Sequence, residues 1–307
     1  MTQIGQGSAG YEVAFPSVKK TVSLAWAALT DTGHRREVNE DSLISDPPIF
    51  AVADGMGGHS AGDVASAAVV TRLADLAGLE SPQNAAINAA LGLAVTDMAS
   101  GVGVTDLGTG TTVTGAALAI VSGAPQWIVF NIGDSRVYLL TSGVLEQVTV
   151  DHSVVQELVD AGRITRDEAD VHPHGNIITR AVGFHEAPIP DYRVLPVRPG
   201  MRLLICSDGL TKELTAYGIR HFLISNPDPD DAAKALVEAA LENGGRDNVT
   251  VIVLDVLDIE DIEDIEDTED TADTADTADT EDTAHSGSPA GSDADTGPLD
   301  VVHLNAP

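Results

Sequence analysis

Residues 50–62 read FAVADGMGGHSAG: an apolar run of strand character ends in Asp54 and opens into a glycine-rich loop. A turn accounts for Gly55, Gly57 and Gly58, because a residue without Cβ bends freely. It does not account for a carboxylate at the mouth of the loop. The same break recurs at 203–209, LLICSDG, where Asp208 closes a second apolar run. Asp41 ends NED just before SLI, Asp134 follows FNIG, and Asp247 precedes NVTVIV. One acid at a strand end is ordinarily a turn or cap residue. Several carboxylates converging from strand ends make a site of hard oxygen donors, which suits Mg²⁺ or Mn²⁺ with waters completing the octahedron. Gly55, lacking a side chain, could then turn its carbonyl toward an ion held by Asp54.

Outward from these acids, the hydrophobic pattern alternates between blocks of strands and pairs of helices. Strands are expected at 22–29, 42–45, 48–53, 111–121, 126–132, 136–141, 191–197 and 201–206, and in the β-branched run NVTVIVLDV. Helices are expected at 62–78, from the Ser81-Pro82 cap to about Ala99, at 153–161, 214–224 and 229–242. Residues 162–190, rich in His, Pro and Gly, read as irregular, and 151–185 as a substrate-facing flap. Such blocks differ from a βαβ alternation and indicate an α+β layered domain with mostly antiparallel sheet. The expected organisation is an N-terminal arm (1–20), one domain (21–257) and a tail (258–307).

The composition separates body from tail. The chain has 307 residues and a formal net charge of −32, but 17 of its 48 acids lie in residues 258–307, which hold no Lys or Arg. The tail repeats DIEDIEDIEDTEDTADTADTADTEDTA in steps of three; such a segment cannot bury enough apolar surface to order itself, so disorder is expected. An acidic chain lacks the basic surface on which nucleic-acid binding rests. With 43% hydrophobic but only 4% aromatic residues, Ala, Val, Leu and Ile must fill the core. One Cys, Cys206, excludes a disulfide framework and a multi-cysteine metal site. MTQIGQGSAGYEV has no signal pattern, and no apolar run approaches the ~20 residues of a membrane helix. A cytoplasmic protein without membrane contact is expected.

Competing readings fail on spacing. A dinucleotide fingerprint from Gly55 and Gly57 needs Gly at position 60, which is Ser60, and no GxxxxGK[ST] occurs. A cysteine phosphatase needs Arg six residues after its nucleophile, where this chain has Lys212. Cys206 lies in an apolar run and reads as core. His172 and His174 read as loop residues before ligands.

The chain resembles the metal-dependent Ser/Thr protein phosphatases, the type 2C or PPM family, in its bacterial branch. The resemblance is carried in order by TDTGHRREVNEDSLI, FAVADGMGGHSAGDVAS, GTGTTVTGAAL, FNIGDSRVYLL, VTVDHSVVQELVDAGRIT, NIITRAVG, LLICSDGLTKEL and GGRDNVTVIVL, about 230 residues. It implies a four-layer αββα sandwich of two mostly antiparallel sheets flanked by helix pairs. It implies two Mn²⁺ or Mg²⁺ ions: Asp54 bridges both, the Gly55 carbonyl joins one, and Asp208 and Asp247 hold the other. Glu40 and Asp41 would hold metal-bound waters, Arg36 the substrate phosphate, and Asn248 the neighbouring loop. A third ion is attached to Asp106, whose spacing to Gly110 is one residue shorter than the family pattern. Asp134 is read as a turn residue. Met56 stands where animal members carry a His proposed as general acid. The implied reaction is hydrolysis of phosphoserine and phosphothreonine in proteins by a water activated between two metals, reversing Ser/Thr kinases, which become expected partners. Two rivals remain: a non-catalytic phosphoprotein-binding module, signalled by missing ligands, and an enzyme for small phosphoesters.

Overall fold

In chain order the computed structural model has β1 (Gln3–Gly5), β2 (Ser8–Phe15), β3 (Lys20–Asp31), β4 (Asp41–Asp46), β5 (Ile49–Met56), α1 (Ala61–Ala74) and α2 (Asn84–Ser100). There follow β6 (Gly110–Thr111), β7 (Val113–Val121), β8 (Ala124–Ile132), β9 (Arg136–Thr141), β10 (Val144–Gln147), α3 (Val154–Asp160) and α4 (Arg166–Asp170). The last elements are β11 (Asp191–Pro196), β12 (Arg202–Cys206), α5 (Asp208–Thr211), α6 (Ala216–Ser225), α7 (Pro229–Glu242) and β13 (Val249–Asp261). The structure describes residues 1–57, 61–100, 109–170, 172–184 and 188–262.

The strands form two sheets. The first runs β1-β4-β5-β7-β8-β11, with β6 on β5; the second runs β10-β9-β12-β13-β3-β2. Every strand pair is antiparallel except β1 with β4. Because side chains alternate across a strand, neighbouring residues serve different cores. Ile49, Ala51 and Ala53 pack under α1 and α2 with Val69, Leu73, Ile87 and Leu91. Phe50 and Val52 point the other way, into the space between the sheets, with Leu24, Trp26, Trp127, Leu203 and Ile252. On the far side Leu204, Val251 and Val253 meet Ile219, Leu223, Leu236 and Ala240 of α6 and α7. The order is helix pair, sheet, sheet, helix pair, as the family resemblance implied. Both faces of each sheet are buried, which explains why the central strands read as continuous apolar runs. Two of the few aromatics, Trp26 and Trp127, flank Phe50 edge-on at centroid distances of 5.3 and 6.1 Å in the inter-sheet core.

The reading differs from the structure in four places. Residues 1–20 form β1 and β2, edge strands of the first and second sheet, rather than a detached arm. β2 pairs on one side only and most of its residues are exposed, which erases the periodicity a strand would show. β13 continues to Asp261, past the expected boundary at 257. Ser81 does not cap α2, which starts at Asn84; its hydroxyl accepts from the Ile120 N–H at 2.8 Å and ties the α1–α2 connection to β7. Fourth, α5 and β10, four residues each, are too short to register as periodic. The tail from residue 263 onward lies outside the described residues.

Candidate metal centre

The acids singled out in the sequence collect at one end of both sheets. Asp41 is the first residue of β4, and Asp54, near the end of β5, is its direct cross-strand partner. Asp208 opens α5 immediately after β12, and Asp247 lies two residues before β13. Like charges placed directly opposite on antiparallel strands repel, so the Asp41–Asp54 register is unfavourable unless a proton or cation intervenes.

Electrostatics bear this out. Burial, with Asp208 and Asp247 adding repulsion against the relief from Thr250 and Ser207, pushes the Asp41 carboxyl up to about 7. Asp54 is driven well above the usual carboxylate range by burial and by Asp41, Asp208, Asp134 and Asp247. Burial also raises Glu40. Asp247 goes the other way: burial would raise it, but Lys212 and Arg36 outweigh that and hold it low. Arg36 Nη2 lies 2.8 Å from Asp247 Oδ1, and Lys212 Nζ 2.8 Å from Asp247 Oδ2 and 2.5 Å from Asp208 Oδ2.

The loops around the acids are held by polar bonds. Asn248 accepts from the Glu40 N–H through Oδ1 and donates through Nδ2 to the carbonyls of Thr32 and Val38. It thereby orients the loop before β4, the role the resemblance implied. The Thr250 hydroxyl donates to Asp41 Oδ2 at 2.6 Å. The Asp54 backbone is fixed on both sides: its N–H donates to Thr112 Oγ1, and its carbonyl accepts from Thr112 N–H and Thr111 Oγ1.

Two buried carboxylate oxygens of the cluster, Asp41 Oδ1 and Asp208 Oδ1, have no hydrogen-bond partner, and neither has Asp63 Oδ1 in the first turn of α1. Leaving such acceptors unsatisfied costs about 1–3 kcal/mol each. Together with the raised carboxyls, they mark donor atoms set up for a cation. The donors are all oxygens, which fits Mn²⁺ or Mg²⁺ rather than zinc.

Gly55 sits where the loop backbones cross. A Cβ there would run into the Gly62 carbonyl and lie 2.6 Å from the Glu40 carbonyl oxygen. Both obstacles are backbone and cannot swing aside. Gly55→Ala is therefore expected to cost on the order of 3 kcal/mol, since overpacking of this kind is destabilising. Gly78→Ala, with nothing within 4 Å of the added carbon, serves as control; urea denaturation of both variants checks the difference.

Other expectations fall as follows. Asp106 lies outside the described residues, as do Gly58 and His59. Asp134, read as a turn residue, is buried and faces the cluster; burial and the nearby Asp208 and Asp151 raise its carboxyl to about 8. The shared pattern of acid at a strand end already included it. Cys206 is a fully buried core residue whose thiol burial pushes up to about 12. His172 and His174 stay a loop pair, with the His174 N–H donating to His172 Nδ1. The segment read as a flap carries α3 and α4 and is anchored by bridges Ser153↔Ile178 and Thr111↔Val182. The Gly133 N–H also donates to His152 Nδ1. Sequence reasoning overlooked Lys212 as a site residue, noting only that it is not Arg.

A protein-family model for protein phosphatase 2C matches residues 32–239. The serine/threonine protein phosphatase PstP of Mycobacterium tuberculosis is 42% identical over 237 residues, 76% of this chain and 45% of that protein. The chain thus spans less than half the length of that relative. The serine/threonine phosphatase stp of Listeria monocytogenes is 36% identical, with 74% of this chain and 93% of that protein covered. Among solved structures, the catalytic domain of PstP in complex with two manganese ions superposes with a TM-score of 0.67 at 40% identity, covering 77% of this chain and 99% of that one.

Proposed function

Because the chain belongs to the protein phosphatase 2C family, we propose that it hydrolyses phosphoserine and phosphothreonine monoesters in proteins, reversing Ser/Thr kinases in the cytoplasm. The observation that carries this reading is the meeting of Asp41, Asp54, Asp208 and Asp247 at one end of both sheets, with two buried carboxylate oxygens unsatisfied. Asp54, the Gly55 carbonyl, Asp208 and Asp247 would hold two Mn²⁺ or Mg²⁺ ions, and Glu40 and Asp41 would act through waters. When bound, the ions supply a water acidic enough to ionise near neutral pH and positive charge for the phosphoryl oxygens.

The chain's own residues do the rest. Asn248 and Thr250 fix Glu40 and Asp41. Arg36, about half exposed, presents its guanidinium beside Asp247. Its planar fork matches two phosphate oxygens at once, which a lysine cannot imitate. Arg36→Lys is expected to raise KM for a phosphothreonine peptide roughly tenfold, on the order of one charged hydrogen bond, with a smaller change in kcat. Steady-state kinetics with saturating Mn²⁺ check it. The segment from 151 to 185 would face the protein substrate. The binding-module reading loses ground because all the described ligand positions are filled.

The test is hydrolysis of a phosphothreonine peptide by the full chain, with Mn²⁺ and again with EDTA. Metal-dependent turnover supports the reading. A folded, metal-loaded sample without turnover overturns it.

A further inference from the structure

Lys212 occupies an unusual position for a lysine. Its Nζ bridges Asp208 Oδ2 and Asp247 Oδ2, and its side chain is only 27% exposed. The lysine is not there by chance of rotamer. Asp208 and Lys212 are the first residue and the C-cap of the same four-residue helix α5, and the Lys212 N–H donates to the Asp208 carbonyl at 2.8 Å. The Lys212 carbonyl accepts from Arg246 Nη2 at 2.8 Å, so its backbone is also fastened to the residue preceding Asp247. Arg246 is itself held by Glu213, the next residue after Lys212, through its backbone N–H and two guanidinium nitrogens. The tether holds the Lys212 backbone beside both carboxylates, within reach of its ammonium.

Asp247 is consequently engaged on both oxygens, by Lys212 on one and by Arg36 and the Asn248 N–H on the other. Asp208 keeps one oxygen, Oδ1, without a partner. Across the cluster, Asp41 and Asp54 have no cation within ion-pairing distance among the described residues. The two halves of the acidic site are therefore unequal: one carries a built-in positive charge and the other does not.

We propose that Lys212 is an internal counter-cation for the Asp208–Asp247 pair, which a divalent ion must displace, so that Lys212 sets a weaker metal affinity for that half of the site. The inference rests on the metal-site reading given above. A divalent ion arriving between Asp208 and Asp247 loses twice: it must break two ion pairs, and it then sits beside a tethered like charge. In exchange, Lys212 holds the acids together while the site is empty. The consequence is stepwise loading: the ion at Asp54 and the Gly55 carbonyl binds first, and the one that Asp208 and Asp247 hold, sharing Asp54, fills only at higher metal concentration.

The experiment is calorimetric titration of Mn²⁺ into EDTA-stripped full chain, for the wild type, Lys212→Met and Lys212→Arg, with thermal melts of each in EDTA. Lys212→Met keeps the apolar stem and removes the charge. It is expected to tighten the weaker class of Mn²⁺ sites at least about tenfold, as loss of a like charge in a partly buried site implies, and to lower the metal-free melting temperature. Lys212→Arg, which keeps the charge, should melt close to wild type. If wild type and Lys212→Met bind Mn²⁺ alike and melt alike, the inference falls while the metal reading stands. If the folded wild type binds no Mn²⁺, the metal reading falls and takes this inference with it.

Discussion

Asp54→Asn is expected to lower phosphatase turnover by on the order of 10³ or more, the equivalent of several kcal/mol of metal-derived transition-state stabilisation, while raising the melting temperature of the metal-free protein. Both halves of the result come from one geometry. Asp54 faces Asp41 across the β4–β5 pair, and burial with the surrounding acids raises its carboxyl far above the ordinary range. Asn is nearly the same size and replaces a carboxyl that must either stay charged among like charges or hold a proton. The strand does not depend on the carboxylate, because the Asp54 backbone is bonded to Thr111 and Thr112. A purely structural aspartate would behave oppositely, with its loss costing stability and sparing turnover. Peptide hydrolysis with saturating Mn²⁺ and melts in EDTA read the two effects separately. Turnover near wild type would remove Asp54 from the proposed machinery.

Without metal, the protein is expected to lose stability as pH rises from about 5 to about 8. Asp41 is raised from an ordinary 3.8 to about 7 and Asp134 from 3.8 to about 8, and Asp54 moves in the same direction. Between the unfolded and folded values, the folded state holds protons that the unfolded chain has released. Stability from these groups is thus fully present below about pH 4 and is lost as pH climbs through 7 and 8. Each group contributes a slope of at most about 1.4 kcal/mol per pH unit. Asp247, Asp191 and Glu213 carry lowered values and act in the opposite sense, but only at acid pH. His152, lowered by burial, opposes the trend below neutrality as one group against the raised Glu40, Asp41, Asp54 and Asp134. Saturating Mn²⁺ should flatten or invert the profile, since ions take over the role of the protons. Thermal melts at pH 5, 6, 7 and 8, with EDTA and with Mn²⁺, check it. A metal-free protein that gains stability toward pH 8 would contradict the account.

Much of this was legible because the sequence states it redundantly. Strands buried on both faces, such as β7 (Val113–Val121) and β12 (Arg202–Cys206), spell themselves out as apolar runs. The acids of the site stand where those runs stop, so the same pattern located both the fold and the cluster. Asn248 was legible by resemblance, and the three bonds of its side chain show why an amide is needed there: it must accept and donate at once. What stayed hidden lacks a local signature. β2 faces solvent over most of its length, so nothing forces an alternation. Ser81 looked like a helix cap because its chemistry suits one, but the Ile120 backbone competed for the same hydroxyl. Lys212 was invisible as a site residue because its meaning depends on Asp247, 35 positions away. Asp134 shared the telling pattern and was set aside on resemblance; only the fold reveals that it faces Asp208.

The first fifteen residues close off one edge of each sheet, β1 on β4 and β2 on β3. They also reach the acidic end of the sheets: the Thr2 N–H donates to Ser42 Oγ, next to Asp41, and the Thr2 carbonyl accepts from the Leu43 N–H. A recombinant fragment trimmed to residue 21 would bare two ladders of unpaired N–H and C=O groups, the usual template for edge-to-edge association. It would also slacken the strand that carries Asp41. Purification handles are therefore better placed elsewhere than at the amino terminus, and a preparation that clumps after such trimming reports on strand pairing before it reports on catalysis.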